Sequence, residues 1–139
     1  EFIFFSNYDS PKALSFNSHN QIAALLYWPS INVQIRMKAE IKRMTDEFNQ
    51  NYFFDRSEKK NALAISSNQS KLIDSYNQVK ENYNKSLKND DLKKCPVFWG
   101  GYSFTPYYFE FWEGHESRLN KREAYEKSDD SWKHLILQP

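Results

Sequence analysis

An alternating stretch from Ile31 to Lys42 constrains the fold of this chain most. Every second residue in it is apolar and the residues between are polar or charged; the apolar positions are Ile31, Val33, Ile35, Met37, Ala39 and Ile41. Because successive side chains of a β-strand point to opposite faces, the pattern predicts a long strand with one buried face and one solvated face. Aromatic residues, which favour strands, make up 17% of the chain. The sequence therefore predicts a folded, mainly β protein.

Shorter strands and several helices are predicted around this strand. Strands are predicted at Gln21–Trp28, Val97–Thr105, Tyr107–Glu113, Arg122–Glu126 and Trp132–Leu137. Helices are predicted at Pro11–Asn17, Thr45–Arg56, Lys59–Ile65 and, from apolar residues at helical spacing, Leu72–Leu87. Antiparallel strands with helices between them predict a mainly β fold, a β-barrel with peripheral α-helices.

The length of the chain predicts one domain over residues 1–139, with a mass of 16.7 kDa. Its first residues are already an apolar strand pattern from Phe2, with no initiator Met and no preceding turn. We therefore expect the sequence to be a fragment, or a protein that lacks its N-terminal strand and helix.

Composition argues against several classes of function. A net charge of +1 does not favour nucleic acid as a partner, so any anion site must be local. The single Cys95 leaves no internal disulfide and fits a reducing compartment. No apolar run approaches the roughly 20 residues of a membrane span, and the three histidines lie far apart without the spacing of metal ligands. We expect a cytoplasmic protein with no membrane, metal or nucleic-acid partner.

One pair of residues suits an anion by its chemistry. Tyr52 and Arg56 lie four apart on a predicted helix, so a phenol and a planar guanidinium would share one face. From spacing alone, the commoner interpretation is an ordinary surface arginine beside a half-buried tyrosine. The chain has only three glycines and no glycine-rich phosphate loop, so a phosphate would have to be held by side chains.

The most informative segment reads FWGGYSFTPYYFEFWEGHESRLNKR, from Phe98 to Arg122. Tryptophan and arginine this close together suit a site that holds a flat ring beside an anion. The segment resembles the C-terminal pattern of the pyridoxine/pyridoxamine 5′-phosphate oxidase family, in which WGGY, EFW and a glycine followed by RL-x-x-R recur in that order. The resemblance extends from Phe2 to Pro139.

This resemblance implies the FMN-binding split β-barrel with peripheral helices, working as a homodimer whose sites draw on both subunits. It also implies FMN as the cofactor and pyridoxine or pyridoxamine 5′-phosphate and O2 as substrates, with pyridoxal 5′-phosphate and hydrogen peroxide as products. The positions that correspond to FMN-binding residues are Phe5, Ser6, Lys12, Gln34, Gln69, Ser70, Trp112 and Arg122. The positions that correspond to substrate-binding residues are Tyr52, Arg56, Lys60, Arg118 and Asn120, the last two also being the expected catalytic residues.

The chain departs from the family at several of these positions. Pro11 and Val33 replace arginines, Lys60 replaces a serine, and Asn120 replaces a histidine. An asparagine does not titrate, so any proton transfer by that histidine is lost. If the helix that carries Arg56 continued regularly, Tyr52, Arg56 and Lys60 would face one site, and Lys60 would add a second cation for a phosphate.

Two alternatives to the oxidase remain open on the sequence. One is a non-catalytic split-barrel protein that binds flavin, pyridoxal phosphate or haem, or is a structural partner. The other is a flavin reductase, in which Tyr52 and Arg56 would lack a purpose.

Overall fold

The structure is a computed structural model that describes all 139 residues. It has six strands and four helices, with one short 3-10 turn at Pro29–Ile31. The strands are β1 (Phe2–Asn7), β2 (Gln21–Trp28), β3 (Val33–Arg43), β4 (Trp99–Glu113), β5 (Lys121–Ser128) and β6 (Ser131–Leu137). The helices are α1 (Pro11–Ser18), α2 (Asp46–Asp55), α3 (Glu58–Ser66) and α4 (Tyr76–Asn89). None of the helices has the length and apolar character needed to cross a membrane.

The chain divides into two compact units. The first, here called the sheet unit, comprises residues 1–2, 20–41 and 104–139. The second, the helical unit, comprises residues 3–19 and 42–103. The expectation of a single domain over residues 1–139 stays a prediction.

The sheet unit is built on the strand order β2-β3-β4-β5-β6. β2 pairs antiparallel with β3, from Gln21 opposite Glu40 to Trp28 opposite Val33. β4 pairs antiparallel with β5, and β5 with β6. On the inward face of β3, Val33 is half-buried and the next four apolar residues are buried: Ile35, Met37, Ala39 and Ile41. The alternation in the sequence is therefore confirmed as one buried and one solvated face.

The helical unit packs the four helices with most of β1 and the first residues of β4, and β1 pairs with β4. Its core is aromatic: Tyr102 stacks on Phe4 and meets Tyr8 and Phe16 edge to face. α4 packs against α3. Such offset and edge-to-face pairs add to the stabilisation that burial of large rings provides.

The glycines of the WGGY segment are explained by a hydrogen-bonded cluster in this unit. Asn49 accepts from the Gly101 N–H at 2.8 Å and donates to the Tyr8 hydroxyl at 3.0 Å, which in turn donates to the Gly101 carbonyl at 3.2 Å. A Cβ on Gly100 would lie 2.1 Å from the Tyr8 hydroxyl oxygen. Backbone, tyrosine and asparagine approach too closely here for any larger residue.

Three predicted boundaries are wrong. β4 is one strand rather than two, and Pro106 does not break it; its pairing with β5 begins only at Tyr108, so the missing proline N–H does not interrupt that ladder. Ile31 belongs to the turn that Pro29 begins, and its side chain is 58% exposed rather than buried. The last helix begins at Tyr76 instead of Leu72, because the Ser75 side chain caps it by accepting from the Gln78 N–H.

Candidate functional site

A pocket of about 300 Å³ in the helical unit brings together five residues that the sequence predicts for a phosphate or flavin site. They are Phe5, Ser6, Arg56, Lys60 and Gln69. They come from the end of β1, from the corner between α2 and α3, and from the turn after α3. Residues far apart in sequence therefore converge on one concave surface.

The polar end of this pocket is a small hydrogen-bonded cluster. Gln69 accepts through its Oε1 from the backbone N–H of Asn7 at 3.1 Å and from the Ser6 hydroxyl at 3.4 Å. Lys12, in the first turn of α1, donates its Nζ to the Ser6 hydroxyl at 3.4 Å. Three of the predicted FMN-binding residues thus form one contiguous group with an ammonium at its edge.

Arg56 is the most distinctive charge in the pocket. Its guanidinium lies over the ring of Trp99, 4.9 Å from the centroid, and its Nη1 donates to the Asn61 side chain at 3.4 Å. Burial lowers the pKa of the Arg56 guanidinium, which stays protonated because an arginine in a protein does not lose its proton near neutral pH. No carboxylate pairs with it, and Lys60 has no charged partner either. The pocket therefore presents two cations without counter-charge.

The route by which Lys60 reaches the pocket differs from the prediction. α2 ends at Asp55, and Arg56 has an extended backbone with ψ of 150°. A second helix then begins at Glu58, so the three predicted phosphate ligands do not lie on one continuous helix. Buried Asn61 fixes this corner by donating to the carbonyls of Phe53 and Leu92, each at 2.8 Å.

Tyr52 is placed beside the pocket rather than in its lining. Its ring stacks on Phe5 with centroids 3.7 Å apart, and Phe5 stacks in turn on Trp99 at 5.1 Å. The three rings form an aromatic wall behind Arg56. Ser70 also lies outside this pocket: it has a φ of 66° in the turn after Gln69 and lines a neighbouring cavity with Leu63 and Ser67.

In the sheet unit, Arg122 belongs to a cluster around the buried Glu110. The Glu110 carboxylate accepts from Arg122 Nε at 2.9 Å and pairs with Arg122 Nη2 at 2.8 Å. It also accepts from the Tyr108 hydroxyl at 3.0 Å and from Arg36 Nη2. Burial alone would raise the pKa of Glu110, but these donors and positive charges outweigh it and hold the pKa below its ordinary value. Arg122 also donates to the Gln138 carbonyl at 2.8 Å.

The other predicted residues of the sheet unit fall into two places. Trp112 lines a cavity of about 410 Å³ with Val33 and Tyr125. Gln34 lies on β3 opposite Tyr27 of β2 and is not among the lining residues. Arg118 and Asn120 belong to the loop between β4 and β5. The Arg118 side chain is exposed, and the Asn120 side chain accepts from the His115 N–H at 3.0 Å.

Three residues with a part in these clusters were not singled out from the sequence. Trp99 is a buried core residue, and its ring also carries the Arg56 guanidinium on its face. Glu110 was visible as a carboxylate inside an aromatic strand, and that was the signal for its role. Asn61 gave no signal. Cys95 is half-buried and burial raises its pKa to about 11, so the thiol stays protonated near neutral pH and is not a reactive thiolate.

Comparison with known proteins places these features in a family. Residues 99–139 match the family described as the pyridoxine 5′-phosphate oxidase C-terminal dimerisation region. A pyridoxine/pyridoxamine 5′-phosphate oxidase of Coxiella burnetii is 37% identical over 139 residues, covering 99% of this chain and 71% of the relative. The pyridoxine/pyridoxamine 5′-phosphate oxidase 1 of Hydrogenovibrio crunogenus is 34% identical, and there the chain spans 66% of the relative's length.

Solved structures give the same fold. The crystal structure of PhzG from Burkholderia lata 383 in complex with tetrahydrophenazine-1-carboxylic acid has a TM-score of 0.85 and 26% identity, covering 99% of this chain and 68% of that one. A pyridoxamine 5′-phosphate oxidase-related, FMN binding protein from Nostoc punctiforme has a TM-score of 0.73 at 14% identity, with 99% and 72% covered, a likeness of fold alone.

The chain thus has the mainly β split-barrel fold with peripheral helices, as the sequence resemblance implied. It belongs to the pyridoxine/pyridoxamine 5′-phosphate oxidase family. This chain spans about two thirds of the length of several curated relatives that it matches.

Proposed function

We propose that this protein binds FMN and oxidises pyridoxine or pyridoxamine 5′-phosphate to pyridoxal 5′-phosphate, with O2 as the electron acceptor. The observation that carries the proposal is the pair of cations without counter-charge, Arg56 and Lys60, beside an aromatic wall. A guanidinium and an ammonium attract a phosphate, and Phe5 and Trp99 in the lining give the pocket an apolar wall beside it.

The residues at the polar end of the pocket fit the phosphate and polar groups of FMN. Lys12 supplies an ammonium, Ser6 a hydroxyl, and Gln69 an amide whose nitrogen donates no hydrogen bond within the protein. FMN, when bound, would supply the two-electron chemistry that turns the carbon bearing the hydroxyl or amine into an aldehyde and passes the electrons to O2 as hydrogen peroxide. Pro11 removes the bidentate donor of the family, which weakens this phosphate site by about 1.5–3 kcal/mol.

The remaining site residues would position the substrate. Arg56 and Lys60 would anchor its phosphate, with Tyr52 behind them. Arg118, an exposed guanidinium without a partner, would hold the ring near the reacting carbon, and a second copy of the chain would supply it in a homodimer. The match of residues 99–139 to a dimerisation region supports this arrangement. A solution mass near 17 kDa at micromolar protein would contradict it.

The absorption spectrum and a turnover assay test the proposal together. Purified protein incubated with excess FMN and then desalted is expected to retain yellow flavin bands. Given pyridoxine 5′-phosphate in air, it is expected to form an aldehyde and hydrogen peroxide in equal amounts. Bound flavin without either product would reject the oxidase, whereas a Soret band would identify a haem protein.

One observation favours a second candidate, a split-barrel protein that binds flavin or pyridoxal phosphate without turnover. Asn120 stands where the family has a histidine, and its oxygen is already occupied by the His115 N–H. Neither the chemistry nor the hydrogen bonding of this side chain suits proton transfer. Tight binding of pyridoxal phosphate with no peroxide would support this candidate.

Replacing Lys60 by alanine is expected to weaken the binding of pyridoxal 5′-phosphate about tenfold, because one of two cations beside the phosphate is lost. The matched control is Lys59→Ala, which removes the same charge from the neighbouring position, outside the lining of the pocket. The difference is expected to shrink as salt rises. Titrations with pyridoxal 5′-phosphate at low and high ionic strength measure this difference. The 4′-deoxy analogue of pyridoxal 5′-phosphate has no aldehyde, so titrating it as well checks that an imine with Lys60 does not contribute. Equal affinities for the two variants would make Lys60 a solvated surface residue.

A further inference from the structure

We propose that Asn120 is a positioning residue: its side chain locks the loop that presents Arg118 to the substrate. The proposal rests on the proposed function, because it concerns how the substrate-binding arginine of that function is held. Asn120 replaces the family's histidine, and we assign it a different role. Its amide acts on the backbone of the loop and does not contact the reacting atoms.

The loop from Gly114 to Asn120 closes on itself through His115. The Asn120 Oδ1 accepts from the His115 N–H at 3.0 Å. The His115 carbonyl accepts from the Arg118 N–H at 3.0 Å, and the His115 Nδ1 accepts from the Ser117 N–H at 3.2 Å. His115 is thereby bonded to Ser117, Arg118 and Asn120. Because Asn120 directly precedes β5, its side chain connects the loop to the start of that strand.

The start of the loop is fixed separately. The Gly114 N–H donates to the Asn32 carbonyl at 3.0 Å, and a Cβ on Gly114 would lie 2.1 Å from the Asn32 Nδ2. Asn32 itself has a left-handed backbone, and its side chain accepts from the Tyr27 hydroxyl at 3.1 Å. The Asn120 bond is therefore the matching restraint at the other end of the loop.

The loop needs restraint because Arg118 has a φ of 63°. The left-handed region is unfavourable for a residue with a Cβ, and such residues keep that backbone only where their surroundings hold them. The Arg118 side chain is exposed, so this backbone is held through His115: the Arg118 N–H donates to the His115 carbonyl, and the Asn120 side chain holds the His115 N–H. Without the Asn120 bond, the loop can relax to φ below zero and the guanidinium is displaced.

An asparagine suits this task because its oxygen accepts at every pH. A histidine at the same position would accept only through an unprotonated nitrogen. The substitution that removes a titratable group thus supplies a constant restraint.

The test compares Asn120→Ala with wild-type, FMN-loaded protein by amide exchange and by titration with pyridoxal 5′-phosphate. Asn120→Ala is expected to speed exchange in the peptide that covers residues 114–120 and to weaken binding about tenfold, while the unfolding temperature changes little. Asn120→Asp, which keeps an acceptor oxygen, is expected to restore slow exchange. Asn84→Ala, at an exposed position on α4, is the control and is expected to change neither.

A double-mutant cycle separates positioning from general loosening. If Asn120 works through Arg118, then Arg118→Ala and the double variant Arg118→Ala/Asn120→Ala bind equally weakly. Additive losses of affinity, or wild-type affinity in Asn120→Ala, would overturn the proposal. If the wild-type protein does not bind pyridoxal 5′-phosphate at all, the proposed function fails and the role in binding fails with it, whereas the exchange rates still report whether Asn120 holds the loop.

Discussion

Replacing Gly100 by alanine lowers the free energy of unfolding by about 3 kcal/mol, the upper end of what overpacking a filled interior costs. The added Cβ would lie 2.1 Å from the Tyr8 hydroxyl oxygen, 2.4 Å from Asn49 Nδ2 and 2.6 Å from Tyr8 Cζ. Neither side chain can move without breaking the cluster that joins Tyr8, Asn49 and Gly101. Urea unfolding followed by tryptophan fluorescence measures the change.

Gly101→Ala is the graded control for this substitution. The atom nearest to its added Cβ is Met44 Cγ at 2.9 Å, which belongs to a flexible side chain that can shift, and the next is Phe5 at 3.1 Å. We expect a loss of about 1 kcal/mol, at the lower end of overpacking costs. Equal losses at the two positions, or a loss below about 0.5 kcal/mol at Gly100, would show that the cluster rearranges freely.

Secondary structure was largely predictable where one physical cause dominates. The alternation of β3 predicted its buried face because a strand between solvent and core has a period of two. The ends of elements were predictable only where a local signal stood alone. Pro106 predicted a break in β4 that is absent, because the sequence does not show whether the ladder needs an N–H at that position. Leu72 predicted a helix start four residues too early, because helical periodicity does not show that the Ser75 side chain caps the helix.

The candidate site was predictable as a set of residues but not as a geometry. The order of motifs selected Arg56, Lys60 and Gln69, and the structure brings them to one pocket. Spacing could not show that α2 ends before Arg56, since the corner depends on Asn61, which bonds to the Phe53 carbonyl within α2 and to the distant Leu92 carbonyl. Nor could spacing show that the Asn120 side chain accepts from the His115 N–H, because a hydrogen bond within a loop produces no periodic pattern in the sequence.

The largest electrostatic effect is expected at Glu110. We expect Glu110→Gln to lower the free energy of unfolding by about 3 kcal/mol, because removing the charge from a buried ion pair leaves its partners uncompensated. The estimate is at the low end for buried pairs because the side chains of Arg36 and Arg122 remain 45% and 27% exposed and can be hydrated. The glutamine side chain would also place its own N–H groups beside the donors of Arg36, Arg122 and Tyr108, which need an acceptor.

Glu123→Gln is the matched control, on the strand next to Glu110. Glu123 is 30% exposed and meets Lys121 at 3.2 Å and His134 at 3.6 Å, so its ion pairs are surface pairs. We expect a loss of less than about 1 kcal/mol. Similar losses for the two glutamine variants would mean that Glu110 is held by packing and not by its charge.

The pH dependence of stability isolates the charge of Glu110. The pKa of Glu110 is lower in the folded protein than in the unfolded chain, because Arg122, Tyr108 and Arg36 together outweigh the cost of burial. Its contribution is therefore fully present above the unfolded pKa of about 4.3 and is lost as the pH falls through the lower folded pKa. Urea unfolding at pH 7, 5, 4 and 3 is expected to show the gap between wild type and Glu110→Gln closing only below pH 5. A gap that stays constant down to pH 3 would mean that the carboxylate is no more acidic in the fold than in the unfolded chain.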